Sequence, residues 1–422
     1  MPNSLNDPSR RWDKALLILA ATFLCGLLWS GCGQTYRPIA NPIPLPGGNP
    51  QSTHYALVLN ENPPVSGPPI NPGSITQIDV SGDTNLSNLT IGVNPVHAVM
   101  NTSLTLAYVV NQGNNTLSAF IPTLGASATI STIPLLQNNA EPNAGASYVD
   151  TSSGFAFVVE TALNRVAVIN NSLFQVAAFV PTGADPVAVA ATSDGRKGYV
   201  TNQSSNTVSV ISTKDYTNTS NIPVGAAPGA IAISNDNNYV FVANSGDGTM
   251  SVINTTSDTV TQTLPVAADP TQIIYDGTLN RVYVLDTGGN AVSIFDASTY
   301  PLTPLKTVST GSTPVSLAVL DNGTKFYVLF QGNPGMVQVY DAQGYYLRST
   351  VTVGNNTLPA GLPALNQVLL SAAPGSTKVY AVNYYGDTVN TTGSTSIIRT
   401  LDDSVVANLP SASPHPSFVT SE

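Results

Sequence analysis

A sequence phrase that returns at a fixed interval constrains the fold of this chain more than any other feature. It joins an aromatic residue, two small apolar residues, a polar residue, a short turn and an alternating strand, as in YVTNQSSNTVSVI at 199–211. Its leading aromatic residues are spaced by 42 positions, at Phe157, Tyr199, Phe241 and Tyr283. A fixed period of this size indicates one supersecondary unit that is copied many times.

Aligning every copy gives eight units, whose second strands start at Leu57, Tyr108, Phe157, Tyr199, Phe241, Tyr283, Tyr327 and Tyr380. The unit that opens at Pro186 divides into four predicted strands, Val187–Ala191, Lys197–Thr201, Thr207–Ile211 and Thr219–Val224. Four short antiparallel strands in each unit are typical of a β-propeller blade. We therefore predict an all-β propeller of four-stranded antiparallel blades, eight by repeat count, with seven as the alternative.

The two ends of the repeat region complement each other. Pro416–Thr420 reads as a first strand without a second, and His54–Leu59 reads as a second strand without a first. Together they predict one blade that both termini share, which closes the ring and leaves no sheet edge open. Residues 54–422 are therefore predicted to form one propeller domain.

The repeated phrase resembles that of the YVTN-repeat β-propeller family, the YncE-like proteins. Tyr199–Asn202 reads YVTN, and the following Thr207–Ile211, TVSVI, is similar to the family's third strand. The resemblance covers about Tyr55–Glu422 and implies the propeller fold. It implies no particular activity, because propellers carry out many different functions.

The first 31 residues have the organisation of an export signal. A basic segment precedes the apolar run Ala15–Trp29, whose 15 residues would form a helix of about 22 Å, shorter than the ~30 Å core of a bilayer. We therefore predict a signal peptide over residues 1–31. Ser30, Gly31 and Cys32 resemble a bacterial lipoprotein cleavage box, which implies that Cys32 is lipidated. An ordinary signal peptide and an uncleaved anchor are the alternatives.

Residues 32–53 are predicted to be a tether, because Arg37–Gln51 is rich in Pro, Gly and Asn and cannot bury a core. The expected location is the bacterial cell envelope, with a lipid anchor in the outer membrane or facing the periplasm. Without residues 1–31 the chain has 11 basic and 22 acidic residues, a net charge of −11. This charge argues against nucleic acid or an anionic membrane surface as a partner.

The repeated residues are interpreted as structural. The leading aromatic residues are expected to pack between blades. The polar residue three positions later is expected to form turns, with a ligand-binding ring as the alternative. It occupies positions Asn60, Asn111, Glu160, Asn202, Asn244, Asp286, Phe330 and Asn383. Because Phe330 interrupts this series, a symmetric metal ring is not predicted.

Residues that commonly catalyse reactions are scarce. The only histidines are His54, His97 and His415, and no His-x-x-x-His or Cys-x-x-Cys spacing is present. We therefore predict no catalytic residue, no metal and no cofactor. A channel site built on crossover carboxylates is a secondary possibility, turn capping being the alternative, and its candidates are Glu141, Asp185 and Asp269.

The loops that depart from the repeat predict where a partner binds. Three connections between second and third strands are long, as are two crossovers, and all five belong to neighbouring blades: Glu61–Gly73, Gln331–Gly335, Tyr384–Ser394, Gly354–Pro363 and Pro410–Pro416. Loops on a rigid scaffold commonly carry binding functions. The predicted binding residues on this face are Asn333, Tyr384, Tyr385, Asp387 and His415. Loop drift without a binding role is the alternative.

Two functional classes follow from these features. The first is an envelope-anchored propeller that binds envelope proteins or a small polar ligand through loops on one face. The second is a lactonase-like hydrolase with its site in the central channel, which makes the enzyme question open, with a non-enzyme favoured. A carboxylate, a histidine and an arginine that converge at the channel mouth would favour the hydrolase. A channel lined by apolar, Asn or Thr side chains would favour binding.

Overall fold

Short antiparallel strands dominate the computed structural model, which describes residues 54–61, 71–101, 105–137, 143–311, 314–332, 335–354, 365–385, 393–410 and 415–421. These strands form eight four-stranded sheets. All of them lie within Ser52–Glu422, which forms one compact unit by itself. The prediction of eight blades is confirmed.

We number the blades from the one that contains both chain ends. Blade 1 consists of β1 (Tyr55–Glu61), β2 (Pro72–Asp79), β3 (Thr84–Val93) and β32 (His415–Ser421). Blade 2 consists of β4 (Pro95–Met100), β5 (Ala107–Asn111), β6 (Thr116–Phe120) and β7 (Ser131–Pro134). Blade 3 consists of β8 (Ala146–Thr151), β9 (Phe155–Glu160), β10 (Arg165–Asn170) and β11 (Gln175–Pro181). Blade 4 consists of β12 (Pro186–Ala191), β13 (Lys197–Asn202), β14 (Thr207–Ser212) and β15 (Thr217–Pro223).

The other four blades repeat the same order. Blade 5 consists of β16 (Pro228–Ile233), β17 (Tyr239–Asn244), β18 (Thr249–Asn254) and β19 (Thr259–Pro265). Blade 6 consists of β20 (Pro270–Asp276), β21 (Arg281–Asp286), β22 (Ala291–Asp296) and β23 (Thr303–Ser309). Blade 7 consists of β24 (Pro314–Val319), β25 (Lys325–Phe330), β26 (Gly335–Asp341) and β27 (Leu347–Val353). Blade 8 consists of β28 (Leu365–Ala372), β29 (Lys378–Tyr385), β30 (Ser394–Arg399) and β31 (Ser404–Pro410).

Helical structure in the described residues is limited to four short 3₁₀ segments, Gln112–Asn114, Pro122–Ser127, Thr161–Leu163 and Pro374–Ser376. None of the helices in this part of the chain has the length and apolar character that crossing a membrane requires.

The innermost strand of each blade contacts the innermost strand of the next, so that β32, β4, β8, β12, β16, β20, β24 and β28 form a closed ring around a central channel. The predicted shared blade is confirmed, because β32 pairs with β1 from Ala56–Ser421 to Glu61–His415. The C-terminal strand therefore supplies the inner edge of a blade whose other strands come from the start of the domain.

Most predicted strand limits in blade 4 agree with the structure to within one residue. The exception is the fourth strand, which begins at Thr217, two residues earlier than predicted. A register shift between Val210 and Ile211 accommodates the added residues as a bulge against the third strand. Alternation of apolar and polar residues gives no sign of this irregularity.

The leading aromatic residues pack in the core, as predicted. Their side chains are fully buried, and they contact the following blade. Phe241 belongs to a cluster with Ile273 and Val282 of blade 6, and the ring of Tyr283 lies 5.5 Å from that of Phe326 in blade 7. Burial of a large apolar side chain stabilises the fold by about 1.5–3 kcal/mol, so each copy strengthens one interface between blades.

A charged contact reinforces the interface between blades 4 and 5. The Lys197 ammonium lies 2.8 Å from the Asp258 carboxylate in the outer turn of the next blade. The hydroxyl of Tyr199 donates a hydrogen bond of 2.7 Å to the same carboxylate. Because Lys197 and Tyr199 both begin the second strand, one carboxylate joins the start of that strand to the next blade.

In three other blades, aromatic or cation–π contacts occupy the position of this ion pair. Phe155 lies edge-on to Tyr216, Tyr239 stacks on Tyr300, and the Arg281 guanidinium lies 5.2 Å from the Tyr345 ring. Each pair joins the start of a second strand to an outer turn of the following blade. The geometry of the interface therefore recurs while the type of interaction varies.

The buried version of this ion pair gives a test of blade packing. Lys325 and Asp403 lie 2.7 Å apart, with 8% and 9% of their side chains exposed. We expect Lys325→Met to lower the free energy of unfolding by about 3 kcal/mol, because it leaves the Asp403 carboxylate buried without its cation. Urea denaturation of the full-length protein measures this change.

The matched control breaks an exposed pair in the same region. Arg399 and Asp402 are 47% and 45% exposed, so Arg399→Met should lower the free energy of unfolding much less than Lys325→Met. Equal losses in the two variants would show that burial does not set the strength of the contact.

Candidate functional site

One face of the propeller carries both the crossovers between blades and the turns between second and third strands. In blade 4 these segments meet where Pro186 at the start of β12 pairs with Asn202 at the end of β13. We call this face the crossover face. The same pairing recurs in blade 5 between Pro228 and Asn244, so each blade presents an equivalent edge.

The repeated polar residue at this edge is buried and hydrogen-bonded to the next strand of its own blade. The Asn202 amide donates to the hydroxyls of Thr207 and Ser209 at 3.0 and 2.9 Å, and Asn244 makes the equivalent bonds in blade 5. These side chains have no exposed area. They therefore join strands inside the blade, which differs from the predicted turn-forming role, and they do not line an accessible ring.

A crossover glycine covers each of these amides. A Cβ at Gly183 would lie 2.8 Å from the Asn202 Cγ, closer than real side chains approach. The Gly183 N–H also donates to the Ser209 hydroxyl at 3.1 Å. In blade 7, Phe330 occupies the position of Asn202 and Gln338 the position of Ser209, and the Gly311 N–H donates to the Gln338 side-chain oxygen. Phe330 and Gln338 therefore replace the Asn–Ser pair of blades 4 and 5.

The structure describes the backbone of three of the predicted binding residues. Leu365 and Tyr385 form the last pair of β28 and β29, so this ladder extends two residues beyond Asn383, the position at which the second strands of blades 2 to 7 end. Tyr384 and Tyr385 are thus placed at the crossover face of blade 8. His415 begins β32 opposite Glu61, at the same face of blade 1.

Other predicted residues lie outside the described residues, namely Cys32, Asn333, Asp387 and Glu141. The connections 62–70, 355–364, 386–392 and 411–414, which carry most of the predicted long loops, also lie outside them.

The crossover carboxylates that we considered for a channel site occupy turns. Asp185 and Asp269 both adopt left-handed backbone conformations, with φ of 58° and 54°, directly before a crossover proline. Asp185 accepts a hydrogen bond of 3.1 Å from the Ser204 hydroxyl, and its N–H donates to the Asn164 side chain. These contacts support the turn-capping interpretation of Asp185.

The central channel contains a cluster that the sequence interpretation did not single out. The inner strands of three consecutive blades carry an aromatic residue two positions after the residue that pairs with the end of the second strand, namely Phe418 after Pro416 in blade 1, His97 after Pro95 in blade 2 and Tyr148 after Ala146 in blade 3. The His97 ring lies 3.9 Å from the Tyr148 ring and 4.6 Å from the Phe418 ring. All three side chains are partly exposed. We call these three residues the aromatic wall.

His97 is held as a neutral imidazole. Its Nδ1 accepts a hydrogen bond of 3.4 Å from the Val149 N–H of blade 3, which places the proton on Nε2. Burial lowers the pKa of His97 to about 3. A histidine with such a pKa is a weak base at neutral pH, so it suits packing and hydrogen bonding better than proton transfer.

Asp150 lies two residues beyond Tyr148 on the same side of β8. Its two carboxylate oxygens accept hydrogen bonds of 2.8 Å from the N–H groups of Thr151 and Ala191, the latter in blade 4. Burial raises the pKa of Asp150 to about 6, although these two hydrogen bonds act in the opposite direction. Asp150 therefore carries negative charge at neutral pH, in a partly exposed position.

The two blades that follow the aromatic wall in the ring carry small residues on their inner strands. The position equivalent to the aromatic wall is Ala188 in blade 4 and Ala230 in blade 5. A Cβ built on the neighbouring Gly229 would contact no heavy atom within 4 Å, so this inner strand borders open space. The channel lining is therefore asymmetric, with aromatic rings in blades 1 to 3 and small residues in blades 4 and 5.

The cations around one described groove are all paired with carboxylates. A groove between blades 7 and 8, of about 570 Å³, is bordered by four cations. Each of them forms an ion pair with an aspartate: Lys325–Asp403, Arg348–Asp341, Lys378–Asp83 and Arg399–Asp402. In the part of the chain that the structure describes, no group of three or more His, Cys, Asp or Glu residues could hold a metal.

The aromatic wall could have been noticed in the aligned repeats, because His97, Tyr148 and Phe418 replace the small residues found in blades 4 and 5. The direction in which these side chains point could not be predicted from the sequence. A bulge follows the first inner-strand position, as in the register shift between Pro95 and His97, and a bulge reverses the alternation of faces.

Comparison with known families and structures agrees with this architecture. A family model described as YNCE-like beta-propeller matches residues 146–398. No curated protein matches the chain significantly.

Three solved structures illustrate the structural similarity. The dihydro-heme d1 dehydrogenase NirN, in complex with DHE, aligns with a TM-score of 0.65 and 11% identity, covering 90% of this chain and 77% of its own. AztD from Citrobacter koseri aligns with a TM-score of 0.62 and 11% identity, covering 88% and 98%. A candidate 6-phosphogluconolactonase from Bacteroides uniformis aligns with a TM-score of 0.53 and 13% identity, covering 71% and 97%. At such identities the similarity extends to the fold alone.

The buried polar series predicts a pH-dependent gain in stability. Burial raises the pKa of Asp286 to about 6, in a position where blades 4 and 5 carry asparagine. Since the folded pKa exceeds the unfolded one, the stability of the natural protein falls as pH rises from about 4 through 6. Asp286→Asn removes this fall. We expect it to raise the free energy of unfolding at pH 7.5 by at most about 3 kcal/mol, with no gain below pH 4.

The reverse substitution is the matched control. Asn244→Asp should lower the free energy of unfolding at pH 7.5 and recover it below about pH 4, because the buried carboxyl is then protonated in both states. Denaturant unfolding across this pH range measures both variants. A gain for Asp286→Asn that persists unchanged at pH 3.5 would contradict the assignment.

Proposed function

Since the chain belongs to the YncE-like β-propeller family, we propose that it acts as an envelope-anchored binding propeller whose crossover face and channel mouth recognise a partner. The observation that carries the proposal is the asymmetry of the channel mouth. His97, Tyr148 and Phe418 form an aromatic wall in blades 1 to 3, while Gly229 in blade 5 borders open space. A concave, mainly apolar surface with a few polar groups is typical of ligand sites.

The predicted long loops support a larger binding surface on the same face. They connect strands of blades 7, 8 and 1, which are consecutive in the ring, and blade 1 contributes Phe418 to the aromatic wall. The extended backbone ladder at Leu365–Tyr385 of blade 8 supports the inclusion of Tyr384 and Tyr385 in this surface. We propose that these tyrosines, with Asn333, Asp387 and His415, contact an envelope protein or a small polar ligand.

We propose that a lipid on Cys32 anchors the propeller in the bacterial envelope. The signal-like residues 1–31 and the cleavage box at Ser30–Cys32 support this localisation, and residues 32–53 would serve as the tether. The chain has a net charge of −10, which does not favour attraction to nucleic acid.

A lactonase-like hydrolase is the alternative function, and one observation favours it. The pKa of Asp150, raised to about 6, is suited to a general base. The observation against it is that the eight described inner strands contain no Lys or Arg to stabilise a developing oxyanion. Hydrolysis of a lactone panel that Asp150→Asn abolishes would favour the enzyme.

Lipidation gives a direct test of the proposed localisation. In a bacterial host grown with labelled palmitate, the natural protein should acquire the label and fractionate with membranes. Cys32→Ser should lose the label, because the acceptor thiol is absent. Cys25→Ser, within the apolar run of the signal, is the matched control and should remain labelled. Label on Cys32→Ser, or its absence from the natural protein, would refute the anchor.

The binding surface is tested by affinity capture from envelope fractions, followed by mass spectrometry. Proteins captured by the natural chain should be lost with the double variant Tyr384→Ala and Tyr385→Ala. The control is Tyr346→Ala, because Tyr346 is 57% exposed in an outer turn of blade 7, on the opposite face. If every captured protein survives the double variant, or is lost with both, the surface is wrongly assigned.

A further inference from the structure

We propose that the groove between blades 7 and 8 binds a small organic phosphate, with the phosphate held by arginine side chains and the organic part packed against Leu401. The groove lies on the face opposite the crossovers, where the second strands of the two blades begin at Lys325 and Lys378. It shares no residue with the aromatic wall or with the predicted binding residues. The inference therefore goes beyond the proposed function and adds a second site.

The groove is one cavity, of about 570 Å³, which is within the usual size range of pockets that bind small molecules. Contacts between the blades fix its walls. The N–H of Asn322 in blade 7 donates to the Ser376 hydroxyl in blade 8 at 2.9 Å. The Lys325 ammonium donates to the carbonyl of Thr400 in blade 8 at 2.6 Å. The residues of the groove are thus held together by the packed interface between the two blades.

Positive charge is concentrated in this groove. Four of the ten lysines and arginines in the described residues line it, namely Lys325, Arg348, Lys378 and Arg399. Its lining includes no acidic residue, because the aspartates that pair with these cations lie outside it. A cleft lined by one sign of charge attracts ligands of the opposite sign, and here it does so on a chain of net charge −10.

The two arginines are accessible and keep hydrogen-bond donors for a ligand. Their side chains are 41% exposed for Arg348 and 47% exposed for Arg399. Among the described contacts, Arg348 donates one hydrogen bond, from Nη1 to Asp341. Arg399 donates to Asp402 and Ser404 through Nε and Nη2, which leaves Nη1. Since a guanidinium has five N–H donors, both arginines can bind a phosphate while their ion pairs remain.

A phosphate monoester matches this lining better than a carboxylate does. It carries about −1.5 to −2 charge at neutral pH and has three acceptor oxygens, so it can contact several cations at once. Leu401 lines the same groove and is 86% exposed, which provides an apolar contact for the organic part of the ligand. Charge at the arginines and apolar surface at Leu401 together define the ligand class.

Calorimetry with three probes tests the proposal. Full-length protein in a non-ionic detergent is titrated with phenyl phosphate, with phenyl sulfate, which has the same shape but one negative charge, and with inorganic phosphate. At pH 7.5 phenyl phosphate should bind about tenfold more tightly than either of the others. Its advantage over phenyl sulfate should disappear at pH 5, because the second pKa of a phosphate monoester is about 6. Phenyl sulfate reveals any effect of protein titration.

Variants with matched controls locate the site. The double variant Arg348→Met and Arg399→Met should weaken phenyl phosphate binding at least about tenfold, because it removes both guanidinium groups. Its control is Arg196→Met, which removes an arginine that is 85% exposed in a turn of blade 4 on the same face. This control should leave the affinity unchanged.

A second variant adds negative charge to the groove without touching the ion pairs. Leu401→Glu should abolish phenyl phosphate binding, because it places a carboxylate beside the arginines. Leu173→Glu is its control, because Leu173 is 64% exposed in the equivalent turn of blade 3 and carries the same change in charge. It should bind as the natural protein does.

The outcomes decide the proposal at each step. Phenyl phosphate binding that is absent, or that survives both the double arginine variant and Leu401→Glu, overturns the site. Equal affinity for phenyl phosphate and phenyl sulfate at pH 7.5 overturns the phosphate assignment, and equal affinity for inorganic phosphate overturns the contact at Leu401. If the double arginine variant fails to fold, Leu401→Glu and the probe comparison still decide. Capture of envelope proteins through Tyr384 and Tyr385 bears only on the crossover face.

Discussion

The pairing of β32 with β1 is the constraint on which the rest of the molecule depends. It hydrogen-bonds the last described strand to the first, so the ring closes only when both ends of the domain are in place. Such a contact has nearly the largest sequence separation possible within the unit Ser52–Glu422, and closing so long a loop is entropically costly. In return, the inner strand of every blade is hydrogen-bonded to its second strand, and the ring has no open seam.

Closure also determines the chemistry of the channel. Phe418 lies on β32, so one third of the aromatic wall is present only after the C-terminal strand has paired. The closing blade is also joined to blade 8 by the ion pair between Lys378 and Asp83. Stability and the candidate site therefore both depend on blade 1, and a change that loosens the β1–β32 pairing would also displace Phe418 from His97.

The repeat predicts most of the fold because its residues determine where the backbone forms strands and turns. A second strand that begins with a buried aromatic residue and ends at a buried polar one, as Tyr199 and Asn202 do, specifies a blade almost alone. The chemistry between blades is less constrained. A Lys–Asp pair, a Tyr–Tyr stack or an Arg–Tyr contact serves equally at equivalent positions, since each spans the same gap. Blade number and closure were therefore predictable from sequence.

The site was harder to predict, for reasons that are local and physical. The bulge between Pro95 and His97 reverses the side-chain alternation, so the sequence pattern alone does not reveal which inner-strand residues face the channel. The burial of the repeated Asn residues was also hard to predict. They lie at the end of a strand, where side chains are often accessible, yet Gly183 covers Asn202 and buries it. The sequence of a strand does not reveal the path of the crossover that covers it.

A perturbed pKa is likewise an incomplete guide to function. Burial raises the pKa of both Asp150 and Asp286 to about 6. Asp286 is fully buried and accepts a hydrogen bond from Ser293, in a position that is structural in every other blade. Asp150 has no counterpart in the repeat and remains partly accessible beside Tyr148. Perturbed groups occur in both structural networks and functional sites, and access to the channel is what distinguishes the two here.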